Sequence, residues 1–173
     1  MPIDLSHPAE IEDLVARTSV FIRETVLPLD DQFGGDIHAA GGDALRTQLQ
    51  SAARKAGLLA PHGPVQFGGL GLGMCDRAPV FEAAGYSLFG PLALNIAAPD
   101  EGNVHLLAHV ATAEQQDRYL RPLVLGEVRS AFAMTEPAPG AGSDATGAAR
   151  RQRPAARYPC LDYVCGLRGC RFS

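Results

Sequence analysis

Apolar residues recur at helical spacing along most of this 173-residue chain. The first periodic segment runs from about Pro8 to Leu27, and we expect Pro28 to end it because proline cannot continue a helix interior. Thr112 and Gln115 have the spacing of a capping box, which marks the start of another helix. The pattern predicts about six helices: Pro8–Leu27, Asp43–Ala56, Asp76–Tyr86, Leu92–Ala97, Gly102–Val110 and a last one from Thr112 to about Pro122.

The segment Pro61–Gly73 is dense in glycine and proline, which indicates a structured connector. A phosphate-binding loop is the alternative interpretation of its glycines. No buried strand precedes the segment, and it has no Gly-Lys-Ser/Thr sequence. We therefore expect a connector rich in turns.

The pattern changes after Gly126. Arg129–Thr135 is short, apolar and partly alternating, with a glycine before it and Glu-Pro after it, which predicts a strand. The expected fold is therefore mainly α. A helical domain of about six helices (1–127) precedes the first strand of an incomplete β-domain (128–149), and an irregular tail (150–173) follows.

Composition and charge are those of an ordinary soluble globular protein, with 46% hydrophobic and 20% charged residues. The formal net charge of -4 argues against nucleic acid or an anionic membrane as a partner, because both attract basic surfaces. No segment approaches the roughly 18 apolar residues of a membrane span. The N-terminus lacks the pattern of a secretory signal, so we expect a cytoplasmic protein.

No metal site is predicted. His105 and His109 are four residues apart on one predicted helix, but two histidines at that spacing are weak grounds for a metal. Three of the four cysteines crowd the C-terminal stretch: Cys160, Cys165 and Cys170. Their spacing is not the Cys-x-x-Cys of common zinc sites, so a small metal-binding module is kept only as an alternative.

One segment carries specific sequence information. Thr135–Asp144 contains Thr-Glu-Pro, a short spacer and Gly-Ser-Asp, and it resembles the acyl-CoA dehydrogenase signature with Ala138 and Pro139 as an addition to the commoner spacing. Upstream, Ala98–Asn103 is similar to an Ala-Pro-Asp-x-Gly-Asn segment in a branch of that family acting on acyl-CoA thioesters. The resemblance covers roughly residues 8–149.

The resemblance implies an FAD-dependent enzyme that removes a proton and a hydride from neighbouring carbons of an acyl-CoA, the hydride going to flavin N5. It implies flavin contacts at Phe132, Met134 and Thr135, and a contact of Ser143 with the acyl-CoA thioester. It also implies an electron-transfer acceptor and a homo-oligomer in the full-length form. In the family the catalytic base lies in a C-terminal helical domain, so no residue of this chain is assigned as the base. Glu136 belongs to the signature segment and is not assigned as the base either.

The tail departs from the family pattern after about Gly147, where arginine and cysteine become common. Our hypothesis is a frameshift or a truncated gene model near Arg150, and the alternative is a genuine short C-terminus. We expect this chain to be inactive alone, poorly soluble and weak or absent in FAD binding. A non-catalytic helical interaction or regulatory protein derived from the same domain is the alternative function.

Overall fold

Helices form most of the part of the chain that the structure describes. The structure is a computed structural model, and it describes residues 6–131. Its α-helices are α1 (Ala9–Phe21), α2 (Leu27–Phe33), α3 (Asp43–Lys55), α4 (Met74–Ala84), α5 (Gly90–Ala93), α6 (Asp100–Val110), α7 (Ala113–Gln115) and α8 (Arg121–Val124). Three further turns are the π-helical Ile22–Val26 and Gln116–Leu120 and the 3-10 turn Val65–Phe67. The mainly helical prediction is confirmed, and none of these described helices is long and apolar enough to cross a membrane.

Two prolines predicted to end helices lie inside continuous helical chain. α1 runs through a π-helical turn into α2, and Pro28 lies in the first turn of α2. In that π turn Leu27 N–H donates to the carbonyl of Ile22, five residues back. The shift of register places the proline where a new α-helix begins and where its missing N–H needs no partner. A second π turn precedes Pro122, and α8 continues to Val124. The predicted helix end at Pro28 is therefore wrong.

The helices pack around one apolar core. α1 lies against α4, α3 lies against α5, and α6 lies against the π turn that leads into α8. Ile11, Leu14 and Ile22, which the periodicity assigns to one face of the first helix, are all buried. The largest fully buried apolar side chains are those of Phe89, Leu49, Leu58, Leu94, Leu107, Leu120 and Leu123.

A buried polar network connects α3 to the ends of α5 and α8 across this core. Gln50 Nε2 donates to the carbonyl of Leu92 at 3.1 Å and to Asn95 Oδ1 at 3.2 Å. Asn95 Nδ2 donates to the carbonyls of Leu123 and Val124 at 2.9 and 3.2 Å. The last carbonyls of a helix lack their usual helical partners, and these side-chain amides add buried donors to them, beside the backbone N–H groups of Asn95 and Gly126 that reach the Leu92 and Leu123 carbonyls.

The connector Pro61–Gly73 is confirmed as a structured loop. Leu70 N–H donates to the carbonyl of Ala60 at 3.1 Å, which brings the end of the loop back beside its beginning. A Cβ on Gly69 would come within 2.6 Å of the Gly63 Cα. The two backbone segments lie so close that only glycine fits at this position.

The structure confirms the predicted capping box but does not confirm the predicted strand. Thr112 N–H donates to Gln115 Oε1 at 2.9 Å, and Gln115 N–H donates to Thr112 Oγ1 at 3.3 Å, so the capping box is confirmed. Residues 129–131 carry no strand assignment, and the rest of Arg129–Thr135 lies outside the described residues. The strand, and with it the β-domain, stays a prediction.

Candidate functional site

The four residues predicted to bind flavin or acyl-CoA lie outside the described residues. They are Phe132, Met134, Thr135 and Ser143. The structure does describe the chain that leads into them, as far as Ala131. The contacts of the residues that lead up to Ala131 are therefore the part of the candidate site that the structure describes.

Ser130 is held by two side chains from the first turn of α6. Ser130 N–H and Ser130 Oγ both donate to Asp100 Oδ1, at 2.7 and 2.6 Å. Asn103 Nδ2 donates to Ser130 Oγ at 2.8 Å. Asp100 is 5% exposed and Asn103 is 6% exposed, so solvent competes little for these bonds. We call these three residues the Ser130 clamp.

The local sequence explains why the clamp forms. Asp100 and Asn103 are three residues apart on a helix, which places both side chains on one face of α6. A carboxylate in the first turn of a helix is also favoured by the helix dipole. Asp100 Oδ2 lies 3.7 Å from Arg129 Nε, so the same carboxylate contacts two consecutive residues of the approaching chain.

A second contact holds α6 against α4. Glu101 Oε1 lies 3.3 Å from Arg77 Nη1. The Arg77 guanidinium also lies 5.7 Å from the centre of the Phe81 ring, within the range of a cation–π contact. The cation–π contact lies within α4 and orients Arg77, and the Arg77–Glu101 pair joins α4 to the helix that carries the clamp.

Reasoning from the sequence did not find the clamp. Asp100 and Asn103 entered only as part of the Ala98–Asn103 segment that resembles a family branch. Ser130 lies about 30 residues further along, and a periodic pattern carries no information about such a pairing. The sequence feature that could have indicated the clamp is the pair Asp100 and Asn103 at the start of a helix, because short polar side chains there can bind a nearby backbone N–H.

Replacing Asp100 with Ala should lower the free energy of unfolding by about 2 kcal/mol, because Ser130 N–H and Oγ lose their acceptor in a partly buried position. Asp100→Asn keeps an oxygen acceptor and should cost less than half as much. Urea unfolding followed by circular dichroism measures both variants, and hydrogen exchange reports the Ser130 amide. An Asp100→Ala variant with unchanged exchange at Ser130 would show that the clamp does not hold that amide in solution.

Metal ligands do not cluster in the part of the chain that the structure describes. Within residues 6–131 no group of three or more His, Cys, Asp and Glu side chains could hold a metal ion. The His105 and His109 rings lie with centres 4.3 Å apart, and His109 Nδ1 lies 2.9 Å from the His105 carbonyl. The tail cysteines lie outside the described residues.

The described part of the chain is a helical domain whose helix α6 holds Ser130. Comparison with known proteins identifies the class to which this domain belongs. The family model "Acyl-CoA dehydrogenase, N-terminal domain" matches residues 8–127. That match covers most of the chain, and it includes every helix that the structure describes. The chain therefore belongs to the acyl-CoA dehydrogenase family, of which it contains the N-terminal domain.

Individual relatives agree with that assignment. The chain is 37% identical over 150 residues to "Probable acyl-CoA dehydrogenase FadE2" of Mycobacterium tuberculosis, covering 83% of this chain and 36% of that protein. It is 36% identical over 127 residues to "Acyl-CoA dehydrogenase family member 10" of Mus musculus, covering 68% of this chain and 12% of that protein. A solved structure from Mycobacterium abscessus, assigned by its description to the acyl-CoA dehydrogenases, is 35% identical with a TM-score of 0.63. The match covers 77% of this chain and 36% of that one. The chain thus spans about a third or less of the length of these relatives.

Proposed function

We propose that this chain is the helical domain and the beginning of the flavin site of an FAD-dependent acyl-CoA dehydrogenase. The proposed reaction is α,β-dehydrogenation of an acyl-CoA thioester, with transfer of a hydride to flavin N5. The observation that carries the proposal is the Ser130 clamp, because it holds the backbone two residues before Phe132. Flavin chemistry demands such fixed geometry, since the protein contributes orientation and electrostatics to it.

The proposed residues fit that role by their chemistry. Phe132, Met134 and Thr135 belong to the segment predicted to be a strand, whose backbone N–H and C=O groups would contact the flavin rim, and the Thr135 hydroxyl would add a polar contact. The glycines that follow allow backbone to approach a ligand without a Cβ clash. Ser143 would donate a hydrogen bond to the acyl-CoA thioester. When bound, FAD supplies the hydride acceptor.

We propose further that residues 128–149 begin a β-domain and that the chain does not catalyse dehydrogenation alone. The proposal is supported by the share of the M. tuberculosis relative that the chain spans, which is 36% of that protein's length. The proposed partners of the whole enzyme are acyl-CoA, an electron-transfer acceptor and further copies of the same protein.

A chimera tests the proposal. Residues 8–149 of this chain would replace the matching segment of the M. tuberculosis relative, which is 37% identical over 150 residues. We expect the chimera to bind FAD and the flavin absorbance to bleach when acyl-CoA is added under anaerobic conditions. In the same chimera Thr135→Val should weaken flavin binding, and Ser143→Ala should raise the acyl-CoA concentration needed for bleaching by about tenfold.

Two controls make the result interpretable. The unmodified relative gives the reference for FAD content and bleaching, and the 173-residue chain alone should show neither. A chimera that folds and binds FAD but is not bleached by any acyl-CoA would contradict the proposed reaction. A folded chimera without FAD would instead favour a helical interaction or regulatory protein.

A further inference from the structure

A cavity of about 280 Å³ lies between the Gly-rich connector, the start of α4 and the side of α6. The walls are mainly apolar, with Leu72, Met74, Val104 and Ala108 among the lining residues. It lies apart from the Ser130 clamp, although α6 contributes to both. Nothing in the proposed dehydrogenation uses it.

His62 is the unusual residue of this cavity. It comes from the Gly-rich connector, is 9% exposed, and neither of its ring nitrogens has a hydrogen-bond partner. Its ring packs edge-on against Phe81, with the ring centres 6.0 Å apart. A neutral imidazole tolerates such surroundings at a modest cost, whereas an imidazolium without a partner does not.

The other charged and titratable groups at the cavity come from α4 and α6. Arg77 on α4 and His105 and His109 on α6 line it. Glu101 is already paired with Arg77 at 3.3 Å, and Asp76 stands in the first turn of α4. Three histidines and one arginine therefore share a small space with few carboxylates, so a positive charge on His62 would be repelled by the Arg77 guanidinium.

We propose that this cavity is an acid-sensitive latch, in which protonation of the buried and unpartnered His62 separates α6 from the Gly-rich connector. At neutral pH the neutral His62 ring stays packed edge-on against Phe81. In acid the like charges push the two sides apart and expose the apolar walls to water. The proposal concerns this chain alone and does not depend on flavin or acyl-CoA.

The energetics have a definite sign. Burial, Arg77 and His105 lower the pKa of His62 from 6.5 to about 4. The unfolded or opened chain binds more protons than the closed one between those two pH values, so the closed state loses stability as the pH falls through that window. Above pH 6.5 both states are neutral and the effect is absent. Within that window the equilibrium constant for closing should fall by up to about tenfold per pH unit.

Hydrogen exchange of the 173-residue chain at about pH 7.5, 6 and 5 tests the latch, after correction for the intrinsic pH dependence of exchange. We expect acid to raise the opening rate of the Leu70 and Leu72 amides and of α6 before it affects the α3 amides. A fluorescent probe of apolar surface should bind at the acid end of the same range. His62→Gln should remove most of the pH dependence, whereas His38→Gln, which changes an exposed histidine, should leave it intact.

His62→Leu provides a second non-titrating variant if His62→Gln fails to fold. Two results would overturn the latch: an unchanged pH dependence of opening in both His62 variants, or acid-induced exchange that rises equally in α3 and α6. Loss of the proposed dehydrogenase activity in a chimera would leave these measurements unaffected, so the two proposals fail separately. The double variant His105→Gln/His109→Gln should reduce the acid effect by a smaller factor than His62→Gln.

Discussion

Replacing Gly90 with Ala should lower the free energy of unfolding by about 4 kcal/mol, above the usual range for overpacking. The added Cβ would overlap the carbonyl oxygen of Ala84 and would come within 2.8 Å of the Ala84 carbonyl carbon. Ile22 Cδ1 lies 3.2 Å away on another side. Backbone atoms cannot rotate away as a side chain does, so the end of α4 and the start of α5 must separate.

Gly102→Ala is the matched control for Gly90→Ala. Gly102 lies within α6, is exposed, and has no atom within 4 Å of the position of an added Cβ. The same substitution should stabilise the protein there, by about 0.5–1 kcal/mol, because alanine favours a helix over glycine. Urea unfolding measures both variants. Equal effects at the two glycines would show that the close approach at Gly90 does not exist in solution.

Replacing Asn95 with Ala should also cost about 4 kcal/mol. The variant loses the buried amide that donates to the Leu123 and Val124 carbonyls at 2.9 and 3.2 Å, which leaves the Leu123 carbonyl with the Gly126 N–H. It also removes one of the two acceptors of Gln50 Nε2, the other being the Leu92 carbonyl. In addition, Asn95 has a φ of 60°, a left-handed conformation that asparagine tolerates better than alanine.

Asn95→Gly separates these two causes. Glycine adopts a positive φ freely but supplies no amide, so it should recover about 1 kcal/mol relative to Asn95→Ala. Thermal and urea unfolding give the three free energies. If Asn95→Gly were as stable as the native chain, the hydrogen bonds to α8 would contribute nothing and the network would be incidental.

The helices were predictable because their apolar spacing depends on local residues, and the capping box at Thr112 was readable for the same reason. The helix end at Pro28 could not be placed correctly, because a π turn becomes favourable only when packing of α1 and α2 against the core keeps the helix continuous. The Gln50–Asn95 pairing joins residues 45 apart in sequence, so no local pattern contains it.

The site was predictable in a different way. Phe132, Met134, Thr135 and Ser143 came from a resemblance to a family signature, and they lie outside the described residues. Asp100 lies in a second segment that resembles the family. Its role depends on a contact with Ser130, which lies 30 residues further along the chain. The motifs supplied the predicted site residues, which stay predictions, whereas the contact of Asp100 with Ser130 became visible only in the fold.

α6 contributes residues both to the Ser130 clamp and to the cavity beside His62. Its first turn carries Asp100 and Asn103, which form hydrogen bonds with Ser130. Its later turns carry His105 and His109, which line the cavity. A helix of 11 residues moves as a rigid rod of about 16 Å. As long as the three bonds to Ser130 hold, a rotation of α6 at the cavity would also displace Ser130. α6 thus couples a histidine cluster to the residues that lead into the segment proposed to bind flavin.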